Sequence, residues 1–252
     1  MASGADDRVV LAAGAGDLVR AVHALTAAGL TRFTVIGGVA VAARLGRVHR
    51  ATTDVDTVVD ETSPPEAIAA LLAIEGAERD PTGRHRVRIA GTQVEIIGVA
   101  PLGPGDEIGL TGRERLFVGA HAWALETATP FRLATTAGDD VVAPFATPAA
   151  LVAMKLHALV DRRPGGPLEK RSGDAWDIFR ILLDLDHDGG VSADLALMPS
   201  WLRSEVRATL RRTFVEEARA TTAWLRAGDD RMAAISADEL RLVAGPVVDV
   251  LA

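Results

Sequence analysis

The chain contains no cysteine and no tyrosine. The first absence excludes disulfide staples, thiolate zinc sites, iron–sulfur clusters and a cysteine nucleophile. Aromatic residues make up only 4% of the 252 residues, so the core must be assembled from the Leu, Val, Ile and Ala that dominate the 48% hydrophobic content. Lysine is nearly missing: of 27 basic residues only Lys155 and Lys170 are lysines, and the rest are arginines. No apolar run approaches the ~20 residues needed to span a bilayer. Asp6 and Asp7 stand where a secretion signal needs positive charge. A soluble, cytoplasmic monomer is therefore expected. The net charge of −7 argues against a long duplex nucleic-acid footprint, which requires many neutralised phosphates. It leaves room for a short RNA end or a nucleotide held by local arginines.

At about 100–200 residues per domain, the length suits one large domain or two modest ones. Asp17 reads as the cap of a helix with Leu18, Val22, Leu25 and Leu30 at helical spacing, stopping near Gly29. Phe33 to Ile36 predicts a short strand, Val39 to Leu45 a short helix, and Thr53 to Val59 a half-buried strand by its alternation. Pro64-Pro65 opens a helix through Leu72, and two β-like runs around Gly91 predict a hairpin. Residues 101–112 read as a loop, and Phe117 to Ala143 as irregular chain with one or two short strands. Thr147-Pro148 is a helix start, Thr as N-cap and Pro at the first position, with the helix running to about Arg162. Ser172 reads as the cap of a helix over 174–185, and the remainder is mostly helical. The organisation is an α/β domain over 1–145 followed by an α-helical domain over 146–252.

The most informative stretch is Gly37-Gly38-Val39-Ala40, then Thr53-Asp54-Val55-Asp56. Two carboxylates at i and i+2 on a strand share a face, where they repel unless a cation sits between them. Hard oxygen ligands suit Mg²⁺, which is held by one or two carboxylates plus substrate phosphates. The glycine pair lets backbone approach a ligand, and its N–H groups at a helix start suit phosphate. Glu95 lies on the strand Gln93-Val94-Glu95-Ile96-Ile97, opposite in face to Val94 and Ile96. If that strand lies beside the Asp54–Asp56 strand, three carboxylates converge on a two-metal centre. The plainer alternative is a solvated strand end beside an ordinary glycine turn. Lys155 sits inside a helix between Leu151 and Leu159, an awkward place for a charge. It fits either a triphosphate ligand or a buried lysine paired with Asp174 or Asp177.

These residues resemble the signature of the polymerase-β-type nucleotidyltransferase superfamily. More narrowly, GGVAVAARLG with HRATTDVD is similar to the AbiEii/AbiGii, MenT-like toxin nucleotidyltransferases. Thr147-Pro148-Ala149-Ala150-Leu151-Val152-Ala153-Met154-Lys155 matches that family's [S/T]-P-x-x-L-x-x-x-K helix, and Asp174-Ala175-Trp176-Asp177-Ile178 its D-x-x-D-[IL] helix start. The similarity covers about residues 20–185. The third acid is Glu where Asp is commoner in the family, and the glycine-to-aspartate spacing is a residue or more longer. The resemblance implies a nucleotidyltransferase palm, a small mixed sheet with helices on one side, with an α-helical domain after it and the active site between the two. It implies two Mg²⁺ ions held by Asp54, Asp56 and Glu95, phosphates on Gly37, Gly38 and Thr53, and catalytic roles for Asp54, Asp56, Glu95, Lys155 and Asp174. It further implies a toxin of a toxin–antitoxin pair, with an NTP as donor, a tRNA 3′ end as acceptor and a cognate antitoxin protein as partner.

Arginines are the more ambiguous signal. Arg44, His49 and Arg50 precede the acidic strand, Arg84, Arg86 and Arg88 precede Glu95, and Arg162, Arg163 and Arg171 flank the loop between the helical motifs. Arg203, Arg207 and Arg211 recur every four residues as a basic helical stripe, either a solvated ion-paired face or an RNA surface. His157 reads as structural. Two other functions share parts of this pattern: transfer to a small molecule such as an aminoglycoside, and a non-enzymatic nucleotide- or partner-binding palm.

Overall fold

The computed structural model describes residues 8–12, 15–30, 32–47, 52–60, 64–100, 102–103, 105–161, 168–228, 232 and 234–252. The chain divides into two compact units, one of Met1–Pro101 with Ala124–Thr147 and one of Leu102–Trp123 with Pro148–Ala252. The stretch 102–123 therefore belongs with the C-terminal helices.

The first unit carries strands β1 (Arg8–Leu11), β2 (Phe33–Ile36), β3 (Asp54–Asp60), β4 (Glu78–Arg79), β5 (Arg86–Ile89), β6 (Thr92–Val99), β7 (Thr129–Thr135) and β8 (Asp140–Phe145). Its helices are α1 (Gly16–Ala27), α2 (Gly37–Arg44) and α3 (Pro64–Leu72). The sheet is mixed, as expected, and reaches eight strands in the order β1-β7-β8-β2-β3-β6-β5-β4. β2 runs antiparallel to β3, while β3 and β6 are parallel. Alternation decides the facing of the central strands. Val55, Val87, Val94 and Ile96 are buried, whereas Asp54, Asp56, Glu95 and Arg86 between them are half-buried. β5 and β6 are joined through Ala90 and Gly91, whose φ angles of 50° and 80° are those of a two-residue hairpin turn with both central residues left-handed.

One local expectation is corrected here. Asp17 does not cap α1, which starts at Gly16 with no side-chain cap; its carboxylate instead pairs with Arg20 one turn on. Arg44 ends α2 as a clamp on the unit's own backbone. It donates to the carbonyl oxygens of Ala146 and Phe145 at 2.8 Å each and to Thr129 Oγ1 at 2.6 Å, with its guanidinium over the Phe131 ring. His49 and Arg50 lie outside the described residues, as do Arg162 and Arg163.

The second unit contains α4 (Gly112–Thr127), whose last turn falls in the first unit, then α5 (Pro148–Asp161), α6 (Leu168–Leu185), α7 (Gly190–Ala196), α8 (Ser200–Leu210), α9 (Ala218–Gly228) and α10 (Ala237–Val250). A π-turn over Arg211–Glu216 links α8 to α9. The stretch 117–143, expected to be largely irregular, is thus the end of α4 followed by β7 and β8. α5 starts at Pro148 as its signal predicts. α6 begins before Ser172, so that residue is a buried interior one whose hydroxyl donates to the Leu225 carbonyl, not a cap. Among the described residues, no helix is long and apolar enough to cross a membrane.

Candidate functional site

In the first unit, strand pairing gathers the predicted acids. In the antiparallel β2–β3 pair, Ile36 lies opposite Asp56, so the chain enters the glycine turn beside that carboxylate. Gly37 has φ +69°, a left-handed conformation that favours glycine. A Cβ placed on it would strike Asp56 Oδ2 and lie 2.9 Å from Asp56 Cγ and 3.0 Å from its Cβ. The glycine is therefore required twice, by its dihedral angle and by the carboxylate lying over it. Gly38 follows, buried, in the first turn of α2. Ile36, the residue capping α2, offers no side-chain acceptor, so the N–H groups at this helix start are left to an anion or to solvent.

The parallel β3–β6 register places Asp54 beside Gln93 and Asp56 beside Glu95. Side chains paired this way share a face, so Asp54, Asp56 and Glu95 rise from the same side of the sheet. Glu95 is also opposite Arg86 on β5, and Arg86 donates to its carboxylate at 2.9 Å. Arg88 similarly engages Asp80 at 2.8 Å; the Asp80 carboxyl, bonded by the Thr82 hydroxyl and backbone N–H as well, is held below the usual carboxylate range. Arg84 is exposed in the turn before β5. Thr53 is exposed at the mouth of β3, and next to it the Thr52 hydroxyl is buried without a hydrogen-bond partner. Thr52 and the Arg86–Glu95 pair are features that the linear sequence did not single out.

Among the described residues, no three His, Asp or Glu side chains are gathered closely enough to enclose a cation by themselves. The donor set nevertheless suits Mg²⁺. Two aspartate carboxylates share a face, and a glycine without a side chain lies against one of them. Mg²⁺ retains waters and substrate phosphates and needs only one or two protein carboxylates.

In the second unit, Lys155 is buried on α5, and its Nζ lies 2.9 Å from both Asp174 Oδ1 and Asp177 Oδ2 on α6. Asp177 is fully buried. The paired-lysine arrangement is thus present, with both aspartates of the D-x-x-D motif on one ammonium. His157, two residues further along α5, packs against Phe117 with ring centroids 5.1 Å apart and meets His121 edge-on. Burial pushes the His121 ring down to about 4, and it lowers His157 too. His121 is a buried side chain, and Phe117 and His157 beside it are half-buried.

The basic stripe is engaged within the unit. Arg203 donates to the Ala196 carbonyl at the end of α7, and Arg207 to the Val248 carbonyl near the end of α10, where cations suit the exposed carbonyls of a helix C-terminus. Arg211 pairs with Glu216. Arg203 and Arg207 are thus ties to helix ends, and Arg211 forms an exposed ion pair.

A family model described as nucleotidyl transferase AbiEii toxin, type IV toxin–antitoxin system, matches residues 22–234. The chain belongs to this family. The match spans Gly37, the β3 acids, Glu95, Lys155 and the Asp174–Asp177 pair, so every candidate residue lies inside the AbiEii region. No curated protein matches the sequence significantly. As an AbiEii-family chain it is a nucleotidyl transferase of the toxin side of such systems, which suggests a nucleotide substrate and an antitoxin partner.

Proposed function

We propose that this AbiEii-family protein moves a nucleoside monophosphate from an NTP to an acceptor hydroxyl, releasing pyrophosphate, and that the acceptor is an RNA 3′ end, of tRNA in particular. The observation that carries the reading is the cradle at Gly37, where a side-chain-free turn lies against Asp56 while Glu95 stands beside Asp56 in register. In this reading Asp54 and Asp56 hold Mg²⁺, with Glu95 available to the same face. The metal, when bound, offsets triphosphate charge and makes the attacking hydroxyl more acidic. The N–H groups of Gly37 and Gly38 and the Thr53 hydroxyl receive phosphate oxygens. Glu95 accepts the proton of the acceptor hydroxyl, and Arg86 orients it. Lys155, held by Asp174 and Asp177, meets the negative charge that grows on the leaving pyrophosphate. We place the protein in the cytoplasm as a monomer, restrained by a cognate antitoxin.

The test incubates the protein with each labelled NTP, with and without Mg²⁺, against total RNA and against a panel of aminoglycosides. Label appearing on RNA, with release of pyrophosphate only when Mg²⁺ is present, is the expected result. Asp56→Asn removes it while leaving the fold as stable or slightly more so, because like-charge crowding with Asp54 is relieved. Near wild-type turnover by this variant refutes the metal assignment. Label on an aminoglycoside instead of RNA replaces the acceptor, and Mg²⁺-independent binding without turnover replaces the enzyme.

A further inference from the structure

The second unit holds a cavity of about 430 Å³ lined by Leu159 of α5, Arg171 of α6, Arg212 and Thr213 of the π-turn, and Glu217 and Trp224 beyond it. That volume is in the range of small-ligand sites. Two features set its walls apart from an ordinary crevice. The Arg171 guanidinium lies over the indole of Trp224, its Cζ 3.5 Å from the ring centroid, yet its Nε is buried with no hydrogen-bond acceptor. Among the described residues neither Arg171 nor Arg212 has a carboxylate within ion-pair distance, although nearby arginines such as Arg203, Arg207 and Arg211 are all tied to protein oxygens. The cation–π contact holds the Arg171 cation in place without neutralising it. The orphaned Nε–H, with a terminal N–H of the same guanidinium, can donate to two oxygens of one tetrahedral anion.

The π-turn presents the second cation. Turns of this type are rare and concentrate at functional sites. This one is held from behind by buried Phe214, by a hydrogen bond from the Thr221 hydroxyl to the Thr213 carbonyl at 2.6 Å, and by one from Arg241 to the Val215 carbonyl at 3.1 Å. Arg212 stands exposed on it. With exposed Glu217 counted, the lining carries two cations and one anion.

We propose that this pocket binds a phosphate group, carried either by the backbone of a short RNA or by a free nucleotide. Arg171 receives it through Nε and one terminal nitrogen, Arg212 closes on it from the π-turn, and Glu217 keeps weaker anions out. The proposed binding does not depend on nucleotidyl transfer.

The test uses the full chain carrying 5-fluorotryptophan, without metal or NTP. Trp224 is one of four tryptophans, and its ¹⁹F signal is assigned with Trp224→Phe. Inorganic phosphate, AMP and an unstructured RNA hexanucleotide are titrated separately, with a hexaglutamate peptide as the carboxylate control. The Trp224 signal shifts with a phosphate-bearing probe, and Arg171→Lys and Arg212→Gln each weaken that binding about tenfold, the scale of one charged hydrogen bond. Glu217→Gln tightens it. For RNA, Arg212→Gln also lowers the slope of log affinity against log salt by about 0.7, the share of one phosphate on a single strand. RNA far above AMP in affinity marks the backbone as the source, and equal affinities mark a nucleotide. No shift at millimolar probe, unchanged binding by the exposed-site variant Arg212→Gln, or a shift with the acidic peptide alone overturns the proposal. Because no metal or NTP is present, none of these results bears on the transfer chemistry.

Discussion

Replacing Gly37 by alanine tests whether the cradle is as tight as the structure describes. Two separable costs arise. The first is conformational: φ +69° for a residue with a Cβ costs about 1–2 kcal/mol. The second is steric, because the new methyl group meets the Asp56 carboxylate and comes within 2.9 Å of its Cγ. Clearing the overlap requires the Asp56 Cγ and carboxylate to swing away together, which takes the carboxylate out of the cradle. Overpacking of this kind costs about 1–3 kcal/mol. Gly37→Ala should therefore destabilise the protein by about 2–5 kcal/mol in total. An Asp56→Ala background removes the two nearest contacts and leaves the β-carbon at 3.0 Å, so the same glycine substitution should cost little beyond the conformational share. The double-mutant cycle then shows a coupling of at least about 1 kcal/mol. Urea unfolding of the four proteins, compared at constant m-value, measures it. Equal costs of Gly37→Ala in both backgrounds would show that carboxylate and glycine do not press on one another, and the cradle reasoning fails.

Three further outcomes are expected. Lys155→Met strands two buried carboxylates and should cost about 3–5 kcal/mol by urea unfolding, with much of that recovered when Asp174→Asn and Asp177→Asn are added; no recovery refutes the charge argument. His121 titrates near 6.5 when unfolded and at about 4 when folded, because burial disfavours its cation. The unfolded chain therefore binds the extra proton between those values. Stability is fully present above about pH 6.5 and falls toward pH 4, by at most about 1.4 kcal/mol per pH unit, a slope that His121→Leu should reduce; unfolding midpoints at pH 7 and pH 5 decide it. Arg86→Gln frees Glu95 from its ion pair and should lower kcat while leaving the KM for NTP nearly unchanged; an unaltered kcat removes Arg86 as a positioning residue.

The sequence is most legible where structure is local. The Gly37-Gly38 turn, the alternation that buries Val55 between Asp54 and Asp56, and the Thr147-Pro148 helix start are each written in a few adjacent residues. The placing of Glu95 beside Asp56 is not, because it depends on a parallel pairing between strands separated by α3 and the β4–β5 pair. Its facing was readable and its neighbour was not. α4 is obscured for another reason. Leu116, Ala120 and Ala124 are buried at intervals of four, but two of them are alanines, and Phe117, His121 and Trp123 between them blur any apolar stripe. The arginines at 203, 207 and 211 have a helical period that is real, yet Arg203 and Arg207 meet carbonyl oxygens near the ends of other helices, which no spacing rule reveals. Asp17 and Ser172 carry the chemistry of caps, and the helices simply begin before them.

β1 pairs in parallel with β7, joining Arg8–Leu11 to residues from Arg132 onward. Between them the chain leaves the first unit at residue 102 and returns at residue 124. Neither unit is consequently an uninterrupted length of polypeptide. On a ribosome, the edge strand made first must wait unpaired until more than half the protein has emerged. The 102–123 segment must meanwhile wait for helices not yet translated. Splitting the gene near codon 146 would not yield two self-sufficient fragments. The downstream product would lack Phe117 and His121, whose rings pack against His157 on α5. Co-expression of the two fragments should succeed where either one alone is insoluble.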